Sequence, residues 1–400
     1  PINTVISLPL NMRFLQADAI FEGTTFLDNE SILAIGDKGE IDAILEAGAI
    51  EQNRIEKLNG CLLPGFVNAH CHLELSHLKG LIPEHGGLVD FVFKIVTQRH
   101  FPEDEILMAI EKAENEMLAN GIVAVGDICN NTSSLFQKRK ERIPYYNFIE
   151  VSGWLPQIAE QRFEKSKAFY NEFSALFPYT TMAPHAPYSV SDDLWKLITP
   201  YFTGKTTTIH NQEIRAEDEL FLSGRGELLQ MYEKMNINNN FFHPTGKTSM
   251  QSYFHKLRPA KHIILVHNTF STEDDILFAK INNKISYISW CLCVNANQYI
   301  ENAFPPVELM RKHACDIVIG TDSLASNYSL STLDELKTIN KNFLSIPLAE
   351  MLQWATLNGA KALSMDDKLG SFEKGKQPGV LVLRNIEGEK LNNALVERVI

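Results

Sequence analysis

The sequence predicts an α/β fold, namely a (β/α)8 barrel accompanied by a small β domain. From residue 62 onward, short apolar runs alternate with amphipathic stretches of helical length, a pattern typical of parallel strands joined by helices. Eight such runs are present, and eight strands close a barrel of this kind. The two ends of the chain instead carry β-like runs. The predicted barrel strands are 62–67, 122–127, 146–151, 179–184, 206–210, 262–267, 285–290 and 315–320.

The β domain is predicted from both ends of the chain. The runs Ala19–Phe21 and Ser31–Ile35 are separated by glycines and by Asp28-Asn29, which favour turns. Near the other end, Val380–Leu383 and Val396–Ile400 show the same character. We therefore expect one β-sandwich-like domain from residues 1–60 plus 369–400, with the barrel inserted at 61–368.

Helices are predicted between the barrel strands. Glu103–Asn120 begins with acidic residues after Pro102 and ends before Gly121, as start and stop signals require. Three further segments behave alike: Ser191–Tyr201, Ala216–Met235 and Ser331–Phe343. The basic cluster at 138–142 is interpreted as the solvated end of a helix.

The composition indicates a globular protein that acts on small molecules. Hydrophobic residues make up 44% and charged residues 22% of the 400 positions. The formal net charge of −12 argues against nucleic acid or anionic membranes as partners. Six scattered cysteines, with neither a signal-peptide pattern nor an apolar run of about 18 residues, favour a cytoplasmic location. We expect a small-molecule substrate, no nucleic-acid or membrane partner, and leave a homodimer open.

The first predicted barrel strand leads into two histidines separated by one residue, His70 and His72. Because side chains alternate along a strand, these two share one direction. At the C-terminal end of a barrel strand that direction is the mouth, where enzymes of this fold place their chemistry. The pair can therefore hold one metal ion, whereas Cys71 between them is expected to be a buried apolar residue.

Three further β-like runs end in a polar residue. These are 206–210 ending in His210, 263–267 ending in His267, and 316–322 ending in Asp322. Each alone is more simply a satisfied core histidine or a capping aspartate. Their position at the ends of strands 5, 6 and 8, beside the histidine pair of strand 1, favours one shared metal site.

Five segments resemble the cyclic-deaminase and chlorohydrolase branch of the amidohydrolase superfamily. They are Pro64–His72, Ala183–Ser191, His210–Glu213, Val266-His267 and Gly320–Ser323. The resemblance implies a (β/α)8 barrel with a flanking β-sandwich and one divalent metal bound by His70, His72, His210 and Asp322. Three imidazoles and a carboxylate suit a hydrolytic zinc centre, and iron accepts similar ligands. Such a metal lowers the pKa of a bound water towards 7, which supplies hydroxide.

The resemblance also assigns the residues that handle protons. Glu213 is expected to move protons onto a ring nitrogen of the substrate, although an ordinary glutamate at a helix N-terminus is the alternative. His267 is expected to stabilise the attacking water and the new oxygen, and Asp322 to take the proton of the water. His185 matches a position that contacts substrate, with a core or capping histidine as the alternative. Release of ammonia completes a hydrolytic deamination.

Two segments, 72–76 and 322–331, narrow the choice of substrate. Both look like the corresponding segments of bacterial 6-aminodeoxyfutalosine deaminases, which act in a menaquinone pathway. An adenine-type nucleoside is therefore the expected substrate. The predicted substrate-binding residues are His185, Glu74, Ser323, Asn327 and Asn297. Strand 7 departs from the Cys-Pro-x-Ser-Asn pattern of the family, because Val294 and Ala296 replace its proline and serine. We also predict that Lys247 or Arg99 contacts a substrate carboxylate.

Other functions stay open at this point. The same metal site serves deaminases of S-adenosylhomocysteine, adenosine or guanine, and it serves hydrolases that attack a C–Cl or amide carbon. A non-catalytic barrel that binds a metal or another ligand is the alternative from a different class. The presence of every ligand and both proton-handling residues argues against that last interpretation.

Overall fold

The computed structural model describes residues 12–283 and 286–400, which form a mixed α/β structure with fifteen strands in these ranges. The first seven are β1 (Arg13–Phe21), β2 (Phe26–Leu27), β3 (Ile32–Ile35), β4 (Ile41–Leu45), β5 (Ile55–Pro64), β6 (Phe66–Cys71) and β7 (Ile122–Cys129). The others are β8 (Tyr145–Val151), β9 (Thr180–Pro184), β10 (Thr206–Asn211), β11 (His262–His267), β12 (Tyr287–Leu292), β13 (Asp316–Ile319), β14 (Val380–Arg384) and β15 (Leu395–Arg398). Predicted residues 1–11 and 285 lie outside the described residues.

The helices lie mainly between the strands of the central part of the chain. The first seven are α1 (Leu88–Gln98), α2 (Glu103–Ala119), α3 (Leu135–Lys138), α4 (Ala159–Ser174), α5 (Asp192–Phe202), α6 (Arg215–Ser223) and α7 (Glu227–Lys234). The others are α8 (Ser249–Tyr253), α9 (Glu273–Asn282), α10 (Val294–Glu301), α11 (Val307–Lys312), α12 (Thr332–Asn342), α13 (Leu348–Gln353) and α14 (Gly359–Ala362). Short 3₁₀ segments occur at Gln52–Arg54, Leu73–Leu78, Pro156–Ile158, Pro187–Ser189 and Phe254–Leu257, and Trp354–Asn358 is a π-helical turn. Within the described ranges, every helix is too short or too polar to cross a lipid bilayer.

Eight parallel strands form the predicted barrel in two halves. One four-stranded sheet has the order β6-β7-β8-β9 and the other β10-β11-β12-β13. The halves are joined by isolated bonds instead of continuous ladders. The His210 N–H donates to the His185 carbonyl at 2.9 Å, and a single bridge pairs Cys71 with Asp322. The C-terminal ends of all eight strands therefore lie at one rim, as the barrel prediction requires.

The ends of the chain form a separate seven-stranded sheet of order β15-β14-β5-β1-β3-β4, with β2 added to β1. Strand β14 pairs antiparallel with β5, which joins the two ends of the chain directly. This arrangement agrees with a β unit built from both termini. The exact boundaries at 60/61 and 368/369 stay a prediction.

The predicted first barrel strand at 62–67 was wrong in its limits. Residues up to Pro64 belong to β5 of the seven-stranded sheet, and the barrel strand β6 begins at Phe66. The chain changes sheets at Gly65, whose N–H donates to the Pro378 carbonyl at 3.0 Å. A Cβ at Gly65 would lie 2.1 Å from Val123, so only glycine fits this close approach.

Two other predictions also need correction. The predicted helix Ala216–Met235 is two helices, α6 and α7, because Gly224 caps the first in the left-handed conformation with φ 68°. The basic cluster is not wholly solvated. Lys138 is completely buried and its ammonium lies 2.5 Å from the Asp127 carboxylate on β7. The run of basic residues therefore looks like a surface segment in the sequence, although it contains one partner of a buried ion pair.

Candidate metal and catalytic site

The polar residues at the strand ends meet at one point of the rim. His70 lies in β6 and His72 directly follows this strand, His210 lies in β10, His267 ends β11, and Asp322 follows β13. All five side chains are buried. Strands that are far apart in the sequence thus deliver three imidazoles and a carboxylate to one cluster, and a fourth imidazole to its side.

The spacing of the four candidate ligands fits a single ion. One ligand atom each from His70, His72, His210 and Asp322 lies within 4.8 Å of the others. The Nε2 atom of His72 is 3.2 Å from that of His70 and 3.3 Å from that of His210. The Asp322 Oδ1 atom is 3.5 Å from Nε2 of His70 and 3.3 Å from Nε2 of His72. Ligands at about 2.0–2.1 Å from a tetrahedral ion are separated by about 3.3–3.4 Å. These residues therefore fit a bound divalent metal.

Neighbouring groups prepare two of these ligands for a cation. The Nδ1 atom of His210 lies 2.7 Å from the His185 carbonyl and must donate to it, which leaves the Nε2 lone pair free for the cluster. Burial and the surrounding imidazoles lower the pKa of His210 well below its usual value. Burial opposes ionisation of Asp322, yet the hydrogen bond from His70 and the charge of His72 hold its pKa well below the usual range. The site thus combines a neutral imidazole with an ionised carboxylate.

The backbone at this rim is strained. Gln212, His267 and Asp322 have left-handed φ angles of 45°, 72° and 57°. This conformation is unfavourable for non-glycine residues, and such strain concentrates at functional sites. The strained residues at this rim therefore agree with its role as a candidate functional site.

Glu213 and His267 lie together beside the cluster, with 3.5 Å between Glu213 Oε1 and His267 Nε2. Burial raises the pKa of Glu213 well above its usual value, and the charge of Asp322 acts in the same direction. Burial lowers the pKa of His267. Burial therefore favours the uncharged form of both side chains.

Asn297 fixes the orientation of His267. Its Oδ1 atom is 2.8 Å from Nδ1 of His267, and its Nδ2 atom donates to Thr269 Oγ1 at 2.8 Å and to the His267 carbonyl. The Nδ1 atom of His267 therefore carries the proton, and its Nε2 lone pair faces Glu213. Asn297 does not line the cavity described below, so its position does not support the predicted direct contact with substrate.

Glu74 and Asn327 also bind protein groups. Glu74 Oε2 accepts from the backbone N–H groups of Asn130 and Asn131 at 3.0 and 3.2 Å, and burial raises the pKa of this carboxyl to about 8. Asn327 Nδ2 donates to Glu335 Oε1 at 2.8 Å. Neither side chain lines the main cavity, so direct substrate binding by these two finds no support in their positions.

A cavity of about 710 Å³ opens above the cluster. His185 and Ser323, two of the residues predicted to bind substrate, lie on its wall. Its outer wall is largely apolar, formed by α1, by the segment after β8 and by α7. Typical small-molecule sites measure about 300–1,000 Å³, so this cavity accommodates a ligand of considerable size.

Sequence reasoning missed Glu150, the next-to-last residue of β8, which is buried and lines the same cavity. One of its carboxylate oxygens lies within 4.8 Å of a ring nitrogen of His185 and of His210. The signal was present as a single acidic residue inside the apolar run 148–151, at the mouth end of a predicted strand.

The amidohydrolase family model matches residues 61–396. The chain is 26% identical over 405 residues to an aminodeoxyfutalosine deaminase of a Nitratiruptor species, covering 94% of this chain and 92% of that protein.

Two solved structures share the fold. One is the aminofutalosine deaminase of Helicobacter pylori in complex with methylthio-coformycin, with a TM-score of 0.79 and 21% identity over 97% of this chain and all of that one. The other is an adenosine deaminase of Xanthomonas campestris with bound zinc, with a TM-score of 0.67 and 20% identity over 92% and 84% of the two chains.

Proposed function

This chain belongs to the amidohydrolase family, and on that premise we propose that it hydrolytically deaminates an adenine nucleoside, with 6-aminodeoxyfutalosine as the lead substrate. It is a hydrolase that acts on C–N bonds. The observation that carries the proposal is the cluster of three imidazoles and one carboxylate, with Glu213 and His267 beside it in a cavity large enough for a nucleoside.

We assign His70, His72, His210 and Asp322 as the ligands of one divalent metal. Nitrogen-rich coordination with one carboxylate favours zinc, although iron accepts the same donors. The zinc in the related adenosine deaminase supports this preference. When bound, such a metal lowers the pKa of a coordinated water and so supplies a nucleophile at neutral pH.

The residues around the cluster have matching proton roles. Burial raises the pKa of Glu213 well above its usual value. We assign this residue to donate a proton to the ring nitrogen next to the amine-bearing carbon, which makes that carbon more electrophilic. His267 presents the Nε2 lone pair and accepts a hydrogen bond from the attacking water. Asp322 is ionised, takes the proton of the water and passes it to the amino group, which leaves as ammonia. As ammonia leaves, the carbonyl forms and the proton of the new hydroxyl returns to Glu213, which restores the carboxyl group.

The cavity wall supports a substrate larger than a simple nucleoside. Four cationic side chains line it, and the acidic lining residues are confined to the cluster and its edge. The cations are Arg99, Arg162, Lys165 and Lys234, and the acids are Glu150, Glu213 and Asp322. An apolar wall with a cationic rim suits an extension that carries a carboxylate. Of the two residues predicted for such a contact, Arg99 lies on the wall and Lys247 does not.

The proposal is tested by incubating metal-loaded protein with aminodeoxyfutalosine, S-adenosylhomocysteine, adenosine and guanine, while ammonia and the absorbance change are measured. We expect ammonia from the adenine nucleosides, with the highest kcat/KM for aminodeoxyfutalosine. Glu213→Gln should retain the metal and lose turnover, because the amide cannot supply the proton. Chloride release from a chlorinated triazine, or activity on amides alone, would contradict deamination. A Glu213→Gln variant with full activity would remove Glu213 from the mechanism.

A further inference from the structure

Glu150 is a buried carboxylate that lacks hydrogen-bond partners within the described chain. Glu150 is the next-to-last residue of β8 and is 7% exposed, and its Oε2 atom is buried with no hydrogen bond. A carboxylate buried in this way costs several kcal/mol of solvation free energy unless a partner compensates for it. Because Glu150 also lines the main cavity, a ligand in that cavity can provide the missing partner.

A second metal ion is not that partner. Glu150, His185 and His210 have ligand atoms within 4.8 Å of one another, which resembles a small metal site. However, His210 has no free nitrogen for it. Its Nδ1 atom donates to the His185 carbonyl, and its Nε2 atom lies 3.3 Å from that of His72 within the first cluster. The group around Glu150 is therefore suited to a molecule with hydrogen-bond donors.

The geometry favours a hydroxyl group as that donor. An ionised carboxylate only accepts hydrogen bonds, and its two oxygens can accept from two adjacent hydroxyls at once. His185 is anchored through Nδ1, which is 2.8 Å from Ser189 Oγ, and its ring faces the cavity. Two polar atoms up to 4.8 Å apart can both bond to one hydroxyl oxygen placed between them, because each bond spans about 2.7–3.0 Å.

The chemistry of a nucleoside identifies the group. Adenine carries its N–H donors only on the amino group, which must lie at the metal cluster beside Asp322 in order to leave as ammonia. The Glu150 carboxylate lies instead with His185, within 4.8 Å of one of its ring nitrogens. The donors that remain for Glu150 are the hydroxyls of the sugar.

On the basis of the proposed function, we propose that Glu150 and His185 form the sugar subsite, in which Glu150 accepts hydrogen bonds from the vicinal 2′- and 3′-hydroxyls of a ribonucleoside. This subsite makes the protein selective for ribonucleosides over nucleosides that lack these hydroxyls.

The test compares adenosine with 2′,3′-dideoxyadenosine as substrates of the metal-loaded protein. Each hydrogen bond to a charged group is worth about tenfold or more, so the wild type should favour adenosine by about 100-fold in kcat/KM. Glu150→Ala should remove nearly all of this preference and leave the rate with dideoxyadenosine within about threefold. Glu150→Gln should retain part of it, because its amide oxygen still accepts one hydrogen bond.

Binding provides a readout that does not depend on turnover. Calorimetry with inosine and 2′,3′-dideoxyinosine should show the same preference in the wild type and its loss in Glu150→Ala. Glu164→Gln is the matched control, since this exposed glutamate on α4 does not line the cavity. The melting temperature and the metal content of each variant show whether the fold and the metal site are intact.

Three results would overturn the inference. Equal losses for both nucleosides in Glu150→Ala would place Glu150 at the base or the amine. Loss of metal in that variant would make it part of the metal site. An unchanged preference in a folded variant would exclude any sugar contact. If ammonia is released from adenine nucleosides in these cases, the proposed function stands while the sugar subsite fails. If the wild type releases no ammonia from any adenine nucleoside, the proposed function fails, and the sugar subsite fails with it.

Discussion

Replacement of Asn297 by alanine should disable His267 without disturbing the metal or the substrate cavity. The Oδ1 atom of Asn297 accepts a hydrogen bond from Nδ1 of His267 at 2.8 Å. In the Asn297→Ala variant the buried Nδ1–H group of His267 has no partner. An unsatisfied buried donor costs about 1–3 kcal/mol. The left-handed backbone of His267 is also strained, so the loss of this hydrogen bond favours another orientation of the ring.

The expected loss in kcat is roughly 10–100-fold, the range found when a hydrogen bond that orients a site histidine is removed. This corresponds to about 1.4–2.7 kcal/mol in the activation free energy. KM should stay within about twofold, because Asn297 does not line the cavity. Steady-state kinetics with an adenine nucleoside, together with the metal content of the same sample, measure both effects.

Asn295→Ala is the matched control on the same helix. Its Oδ1 atom accepts from Thr338 Oγ1 at 2.6 Å, so the variant also loses a hydrogen bond but does not contact His267. We expect a similar loss of stability and an unchanged kcat. Equal activity of the Asn297 and Asn295 variants would refute the reasoning, as would a rise in KM alone for Asn297→Ala.

Two further predictions concern stability. Burial raises the pKa of Glu335 from 4.5 to about 8. Its contribution to folding is therefore complete below about pH 4.5 and is lost as the pH rises through about 8, with a slope of about −1.4 kcal/mol per pH unit between them. Other buried carboxyls such as Glu74 contribute equally to both proteins, so urea titrations of the wild type and of Glu335→Gln should give slopes that differ by this amount. Parallel profiles of the two proteins would contradict the assignment. Lys138→Met leaves the buried Asp127 carboxylate without its cation and should lower the free energy of unfolding by about 3–5 kcal/mol. Lys140→Met, which breaks an exposed pair with Glu111, should change the free energy of unfolding far less than Lys138→Met does. A similar loss for both lysines would show that burial does not matter here.

The fold could be predicted because the sequence periodicity of the strands is strong. All eight predicted barrel strands have a counterpart among β6–β13, and both ends of the chain contribute to one sheet. The predicted limits of strands and helices were wrong where a local backbone conformation determines where an element begins or ends, as at Gly65 and Gly224. Neither a close backbone approach nor a left-handed cap leaves a mark in the hydrophobic pattern.

The convergence of the four candidate ligands could also be anticipated, because parallel strands end at the same rim. His267 illustrates what alternation alone does not provide. Ile263 and Leu265 pack with the helices while Ile264 and Val266 face the other strands, so alternation would place His267 on the outer side. Its left-handed backbone turns the ring into the mouth instead. Such a conformation depends on tertiary contacts such as those of Asn297.

The contacts of the loops could not be predicted from the sequence. Glu74, Asn297 and Asn327 were expected to bind substrate because they lie near the motifs, yet their hydrogen bonds go to protein groups. Glu150 was overlooked because a single acid at a strand end is a common feature. Only the three-dimensional arrangement shows that its carboxylate lacks a partner.

The most direct test of the account is the position and number of metal ions in the purified protein, measured by metal analysis and by anomalous diffraction at the zinc or iron edge. We predict one ion per chain, about 2.0–2.2 Å from His70 Nε2, His72 Nε2, His210 Nε2 and a carboxylate oxygen of Asp322. An ion bound elsewhere, or a His210→Ala variant that retains the metal with unchanged affinity, would contradict the central claim.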